Sequence, residues 1–164
     1  MDLLDQNSLT MMNQLYPEFR ARVFRIFNDV YSQHGLKIKV TEGFRNFQRQ
    51  KDLYDQGRSK PGKIVTHARP GETFHNYGLA VDCCFNVHGD PYLEKHPNGE
   101  FLWSEIGRFA SLYGVRWGGS FKSLIDKPHL ECIYSGVTTD WLHMIYEAGG
   151  ITQVFKEIDK KLRG

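Results

Sequence analysis

The chain has 164 residues, of which 40% are apolar and 24% charged, and its formal net charge is +2. This balance is that of a folded globular protein, so we predict one domain over residues 1–164 with its own hydrophobic core. Basic and acidic residues are interspersed, and no apolar run is long enough to span a membrane. We therefore expect a monomer that binds neither nucleic acid nor membrane. The acidic start lacks a signal-peptide pattern, which predicts synthesis in the cytoplasm.

Helical and strand patterns are scattered along the chain and joined by short connections. Such an order predicts an α+β fold with a small, mostly antiparallel sheet. The predicted elements are a helix from Pro17 to the stop at Gly35, a strand over 36–41, a short helix capped by Asn46 and ended by Gly57, a loop over 58–76, a strand over 79–85, a helix around 106–113 that Gly114 ends, strands over 115–117 and 128–133, and a helix over 140–147.

The segment 73–82, with the sequence TFHNYGLAVD, places a carboxylate inside an apolar strand. Strand alternation gives Asp82 the face opposite the apolar one, next to small residues. A carboxylate in such a place must be paired, hydrogen-bonded or bound to a metal. His75 lies in the preceding loop, where Gly78 could let the backbone fold the imidazole back over Asp82. The predicted core face consists of Leu79, Val81, Cys83 and Phe85.

The segment 126–131, with the sequence DKPHLE, supplies a second carboxylate and a second imidazole. Pro128 stiffens the turn between Asp126 and His129, which would let both side chains address one site. Together with His75 and Asp82, His129 completes two imidazoles and one carboxylate, a set that suits catalytic zinc. Zinc lowers the pKa of water, and Asp126 is then the candidate base. Spacing alone leaves a structural role for these residues open, because single His and Asp residues commonly pair or cap turns.

Four ordered segments resemble one family. Residues 73–82 resemble the SxHxxGxAxD signature of the zinc peptidases that include D-Ala-D-Ala carboxypeptidases and L-alanyl-D-glutamate endopeptidases. Residues 126–131 are similar to that family's second motif, a carboxylate three residues before HxE, and residues 42–58 are similar to its arginine-bearing segment. The WGG at 117–119 matches the endopeptidase and phage endolysin branch. Thr73 replaces the serine of the signature but keeps the hydroxyl.

The resemblance implies a fold and a set of roles. The fold is an α+β domain like those of hedgehog and D-Ala-D-Ala peptidase proteins, with zinc in a cleft on the sheet. One zinc ion per chain would be held by the two histidines and the strand carboxylate described above, with Asp126 as general base. Arg45 would bind the substrate carbonyl or stabilise the oxyanion. The implied zinc ligands are His75, Asp82 and His129.

Two further residues carry open alternatives. Glu131 is expected either to accept a hydrogen bond from a ligand histidine or to be an exposed strand residue. Trp117 is expected in the core, with a wall of the substrate cleft as the alternative. Gln50 is expected to pack or cap.

The expected function is hydrolysis of the stem peptides of bacterial peptidoglycan, the predicted partner. We favour cleavage between L-Ala and D-Glu by an endolysin that reaches the wall after phage holin-type lysis. The alternatives are a D-alanyl-D-alanine carboxypeptidase and, in a different class, a catalytically inactive zinc-containing binding module. The presence of both Asp126 and Arg45 argues against the inactive module.

Overall fold

The computed structural model describes residues 3–87 and 89–163. The predicted domain over 1–164 therefore includes residues 1, 2, 88 and 164, which lie outside the described residues, and its bounds stay a prediction. Within the described ranges, none of the helices has the length and apolar character needed to cross a membrane.

Five α-helices surround the sheet in the described part of the chain. Asp5 caps the first helix by accepting a hydrogen bond from the Ser8 amide, and Pro17 opens the second. Asn46 caps the third in the same way, through the Arg49 amide. The helices are α1 (Gln6–Met12), α2 (Pro17–His34), α3 (Phe47–Asp55), α4 (Gly99–Leu112) and α5 (Thr139–Arg163).

Four short strands form one antiparallel sheet in the order β1-β2-β4-β3. The predicted α+β class with a small antiparallel sheet is thus confirmed. The strand β2 lies between β1 and β4, and this pairing places Asp82 directly opposite His129. The strands are β1 (Ile38–Glu42), β2 (Ala80–Phe85), β3 (Arg116–Trp117) and β4 (His129–Glu131).

The pairing of β1 with β2 contains a bulge. Val40 lies opposite Cys83 and Glu42 lies opposite Asp82, so Thr41 is the additional residue on β1. A bulge bends its strand and turns the chain that follows it. The chain that follows here is the segment leading to Arg45, which thereby passes beside the end of β2 that carries Asp82.

One hydrophobic core lies between the sheet and the helices. The predicted inward face of β2 is fully buried, and the apolar stripe of α2 packs into the same cluster. Burial of this apolar surface is the main source of stability in the domain. Members of the core from these two elements and the residue before β2 are Phe19, Val23, Ile26, Phe27, Val30, Leu79, Val81, Cys83 and Phe85.

Two helical regions differ from the sequence prediction. The helix α1 was not predicted; it lies against β1, where the Ser8 hydroxyl accepts a hydrogen bond of 2.9 Å from the Val40 amide. The predicted last helix over 140–147 continues to Arg163, with non-helical backbone at Gly149 and Gly150. These two glycines interrupt the helix as glycines do, but a second helical segment resumes directly after them.

Candidate metal centre and catalytic site

Three side chains from separate segments meet at one end of β2. Each of His75, Asp82 and His129 offers one ligand atom, and these atoms lie within 4.8 Å of one another. His75 Nε2 is 3.3 Å and His129 Nδ1 is 3.0 Å from Asp82 Oδ1. The sheet register fixes Asp82 against His129, while a short 3-10 turn over Phe74–Tyr77 carries His75. The folded chain thus brings the three predicted ligands together.

The other nitrogen of each imidazole is held by a fixed partner. His75 Nδ1 is 2.8 Å from the carbonyl oxygen of Gly43, which can only accept a hydrogen bond. His129 Nε2 is 3.1 Å from Glu131 Oε2. Both rings are therefore oriented so that His75 Nε2 and His129 Nδ1 point toward Asp82. Such outer partners fix the tautomer of a metal-ligating histidine and raise its basicity.

The charges of the cluster are strongly coupled. Burial by itself would raise the pKa of Asp82, but the adjacent His75 and His129 lower it well below its ordinary value. Burial lowers the pKa of His129, yet hydrogen bonds to Asp82 and Glu131 outweigh that effect and raise it to about 9. An anionic oxygen between two imidazoles is the donor set that a divalent zinc ion binds. The residues present therefore fit the predicted metal.

Arg45 enters the same cavity from the segment between β1 and α3. Its side chain is only 10% exposed, and Nη2 donates to Asp82 Oδ2 over 3.4 Å. Nη1 donates to Gln50 Oε1 over 3.0 Å. The buried Nε lies 3.8 Å from Glu42 Oε2 and makes no hydrogen bond to any residue that the structure describes. A buried cation with an unused donor beside a carboxylate can receive a further oxygen atom. The prediction that Arg45 faces the reacting centre fits this position.

Asp126 lines the same cavity as Arg45 and lies in the loop that leads into β4. The Asp126 amide donates to the Gly118 carbonyl over 3.0 Å, and the His129 amide donates to the Asp126 carbonyl over 3.1 Å. Partial loss of water at its carboxylate and the negative charge of Asp82 raise the pKa of Asp126. The cavity has a volume of about 260 Å³. Its walls are formed by Glu42, Arg45, Leu53, Val65, Thr66, Thr73, His75, Asp82, Asp126 and His129.

Glu131 and Trp117 occupy different positions. Glu131 is 5% exposed and contacts both His129 and Arg116, so the alternative of an exposed strand residue is wrong. Trp117 does not line the cavity that holds His75, Asp82 and His129. Its indole nitrogen instead donates to the Lys127 carbonyl over 2.8 Å and so supports the loop that carries Asp126. This placement gives the cleft-wall alternative for Trp117 no support.

The sequence analysis did not predict the roles of two residues that support the site. Gly43 acts through its backbone carbonyl, for which no side-chain signal exists. Gln50 was expected to pack or cap; it is fully buried, and it joins Arg45 to the loop over 58–72 by donating to the Ala68 carbonyl over 2.7 Å. A polar residue on the first turns of a helix five residues after a functional arginine could have suggested this contact.

Known proteins resemble this chain in sequence and in fold. A family model described as D-alanyl-D-alanine carboxypeptidase matches residues 66–132, which include all three candidate ligands. Two solved structures share the fold: the L-Ala D-Glu endopeptidase ChiX of Serratia marcescens, at 23% identity and a TM-score of 0.52 over 79% of this chain and 89% of that one, and DacB of Streptococcus pneumoniae, at 20% identity and a TM-score of 0.54 over 79% of this chain and 77% of that one.

A bacterial endopeptidase is similar to this chain in sequence. The chain is 44% identical over 104 residues to the peptidoglycan L-alanyl-D-glutamate endopeptidase CwlK of Bacillus subtilis (strain 168). The matched region covers 60% of this chain and 62% of CwlK. The chain thus matches less than two thirds of the length of CwlK. The predicted resemblance is confirmed: this chain is similar both to a D-alanyl-D-alanine carboxypeptidase family model and to an L-alanyl-D-glutamate endopeptidase.

Proposed function

We propose that this protein is a zinc-dependent peptidase that hydrolyses the L-alanyl–D-glutamate bond in the stem peptides of bacterial peptidoglycan. The observation that carries the proposal is the convergence of two imidazoles, three carboxylates and one arginine on a single cavity. A merely structural cluster would satisfy its donors internally, whereas the buried Arg45 Nε makes no hydrogen bond within the described part of the chain and has only an ion-pair contact of 3.8 Å with Glu42.

The proposed roles follow from the positions of the side chains. His75, Asp82 and His129 hold one zinc ion per chain, and zinc supplies a Lewis acid that lowers the pKa of water and polarises a peptide carbonyl. Asp126 accepts the proton from the attacking water and passes it to the leaving amine. Arg45 donates hydrogen bonds to the carbonyl oxygen as negative charge develops on it. Its low exposure strengthens that interaction because little water competes.

The scissile bond is assigned from similarity. The relative at 44% identity is named an L-alanyl-D-glutamate endopeptidase, and the WGG at 117–119 favours the same branch. The second candidate is a D-alanyl-D-alanine carboxypeptidase, because the matching family model carries that description. An inactive zinc-containing binding module is disfavoured, since it needs neither Asp126 nor Arg45 in the cavity.

Mass spectrometry of muropeptides after digestion of purified cell wall tests the proposal. We expect new N-terminal D-Glu on the released peptides and L-Ala left on the glycan strand. Loss of a terminal D-Ala with the L-Ala–D-Glu bond intact would favour the carboxypeptidase. Intact wall after digestion with zinc-loaded protein would favour the inactive module.

The same proposal includes a bacteriolytic role as an endolysin that acts as a monomer and reaches the wall from the cytoplasm after holin-type lysis. Its support is the similarity of the WGG segment to the endolysin branch. Expression inside a susceptible host, with and without a pore-forming holin, tests it: lysis should require both proteins. Lysis that proceeds without a holin would contradict this route of release.

A further inference from the structure

A second cavity adjoins the candidate metal centre. It has a volume of about 410 Å³ and lies between the loop that precedes α4 and the loop that leads into β4. Asp126 lines both this cavity and the one that holds His75, Asp82 and His129. The two cavities therefore lie on either side of Asp126, and a substrate that reacts beside this residue can place a neighbouring residue in the second cavity.

Internal hydrogen bonds hold the wall formed by residues 90–99. The Asp90 carboxylate accepts hydrogen bonds from the Glu94 and Lys95 amides, at 2.8 and 3.0 Å. The Trp103 indole donates to the Tyr92 carbonyl over 2.8 Å. A side chain on Gly99 would place its Cβ only 2.1 Å from the Leu93 carbonyl oxygen, so the wall is built around that close approach. This wall is thus ordered by its own contacts, and an ordered wall lowers the entropic cost of binding.

The lining combines an apolar side with excess negative charge. Glu94, Glu100 and Asp126 line the cavity against a single lysine, Lys127, which is already paired with Glu100. The Glu94 carboxylate has no ionic or hydrogen-bonding partner among the described residues. The adjoining apolar side includes Ile125, which is 66% exposed.

An aromatic ring supplies a further feature suited to a cation. Tyr92 lines the cavity, is 46% exposed, and has no cation over its ring among the described residues. The face of a tyrosine ring attracts an ammonium group. An unpaired carboxylate and an open ring in one cavity complement a single positive charge, while the apolar side complements an aliphatic chain.

We propose that the second cavity is a subsite for a substrate residue whose aliphatic side chain ends in a primary ammonium group. This inference rests on the proposed function, since it takes the substrate to be a stem peptide. The aliphatic chain packs against Ile125 and Pro128, and the ammonium group meets Glu94 and the ring of Tyr92. Cleavage therefore depends on a free side-chain amine at a residue outside the scissile bond.

Two synthetic peptides test the subsite: L-alanyl-γ-D-glutamyl-L-lysyl-D-alanine and the same peptide with its lysine ε-amine acetylated. For the zinc-loaded protein we expect kcat/KM to be about 3- to 10-fold higher on the free amine, the range of a partly exposed ion pair with a cation–π contact. In Glu94→Gln the ratio of the two values should fall toward unity. Added salt should lower the wild-type ratio because it screens the charge.

Glu147→Gln is the matched control, since this exposed glutamate on α5 lies outside both cavities and loses the same charge. It should keep the wild-type ratio, and thermal melting checks that Glu94→Gln folds. Equal cleavage of both peptides by the wild type, or a preference that survives in Glu94→Gln, would overturn the subsite while leaving the peptidase intact. If neither peptide is cut, the proposed function fails, and calorimetric titration of the two peptides then tests the subsite by itself. Equal binding of the two peptides would refute the subsite, and tighter binding of the peptide with the free amine would support it.

Discussion

Two clusters in this protein are built from the same residue types. In the first, Glu105 on α4 is held by Arg108 through both carboxylate oxygens, at 2.7 and 2.9 Å, and by His34 Nε2 at 3.1 Å. In the second, Asp82 on β2 lies between two histidines and faces Arg45. Each cluster thus joins a carboxylate to imidazole and guanidinium groups.

The clusters differ in how completely their polar atoms are used. Both oxygens of Glu105 have short partners. Among the described residues, by contrast, Asp82 Oδ2 has only the Arg45 contact of 3.4 Å, and Arg45 Nε has a 3.8 Å ion-pair contact with Glu42 but no hydrogen bond. The Asp82 cluster also opens into a cavity, while Glu105 lines none of the described cavities. The comparison teaches that internal satisfaction marks a structural cluster, and that converging, underused ligand atoms mark a binding site.

Removal of the metal should separate the two clusters most sharply. Chelation, or the substitution His75→Ala, should abolish peptide hydrolysis while leaving most secondary structure, because the hydrophobic core does not include the metal site. Elemental analysis should find about one zinc per untreated chain. His34→Ala is the control and should keep both zinc and activity. Full activity of the chelated, metal-free protein would contradict the assignment of the Asp82 cluster as a metal site and of the Glu105 cluster as a structural one.

Substitution of the candidate base comes next in size. Asp126→Asn should lower kcat by about 10²- to 10⁴-fold, the usual contribution of a positioned general base, with zinc content unchanged. Because the pKa of Asp126 is raised, the base is lost on acidification at a higher pH than an ordinary aspartate would give. The acid limb of kcat/KM should therefore lie above the ordinary value and vanish in Asp126→Asn. Asp140→Asn, an exposed aspartate on α5, should leave kcat unchanged; loss of zinc from Asp126→Asn would instead make Asp126 a ligand.

The partner of a ligand histidine should have a smaller effect. Glu131→Gln removes the negative charge that faces His129 Nε2 and should weaken zinc binding by about 10- to 100-fold. Competition with a chelator of known affinity measures the change. An unchanged zinc affinity would show that Glu131 serves only to pair with Arg116.

The smallest effect is expected in the satisfied cluster. Glu105→Gln should lower the free energy of unfolding by about 1 kcal/mol at pH 7, without altering kcat. The hydrogen bonds from Arg108 lower the pKa of Glu105 to about 2. Because the pKa of Glu105 is lower in the folded than in the unfolded protein, its ionised carboxylate stabilises the fold at pH values above the unfolded-state pKa. This stabilisation is lost as the pH falls through the folded-state pKa. The difference between the variant and the wild type should thus fade between pH 4.5 and about 2, and denaturant melts across that range check it.

Side-chain patterns predicted much of the fold because the strongest signals were local. The positive φ of Gly35 ends α2 and the Asn46 side chain caps α3, each as its sequence position indicates. The helix α1 escaped notice because seven residues are too few for a helical period to stand out. Residues 151–163 were missed because the glycine pair suggests a stop rather than an interruption.

The site was less accessible than the fold. The stiff turn at Pro128 predicted one site for Asp126 and His129, but it did not reveal the backbone contact to Gly118 that holds Asp126 beside the cavity. The orientation of His75 depends on the Gly43 carbonyl, and a backbone atom leaves no trace in residue identity. Contacts of this kind arise from tertiary packing and could not be inferred from spacing.

The bulge at Thr41 makes the geometry of the centre sensitive to chain length as well as to residue identity. Deletion of this one residue would retain every ligand, the candidate base and the arginine, and would allow β1 to pair with β2 without interruption. The bend that the bulge puts into β1 would then be lost, and the chain leading to Arg45 would leave the sheet in a different direction relative to Asp82. Homologous chains, and engineered ones, should therefore tolerate substitutions at Thr41 far better than a gap there.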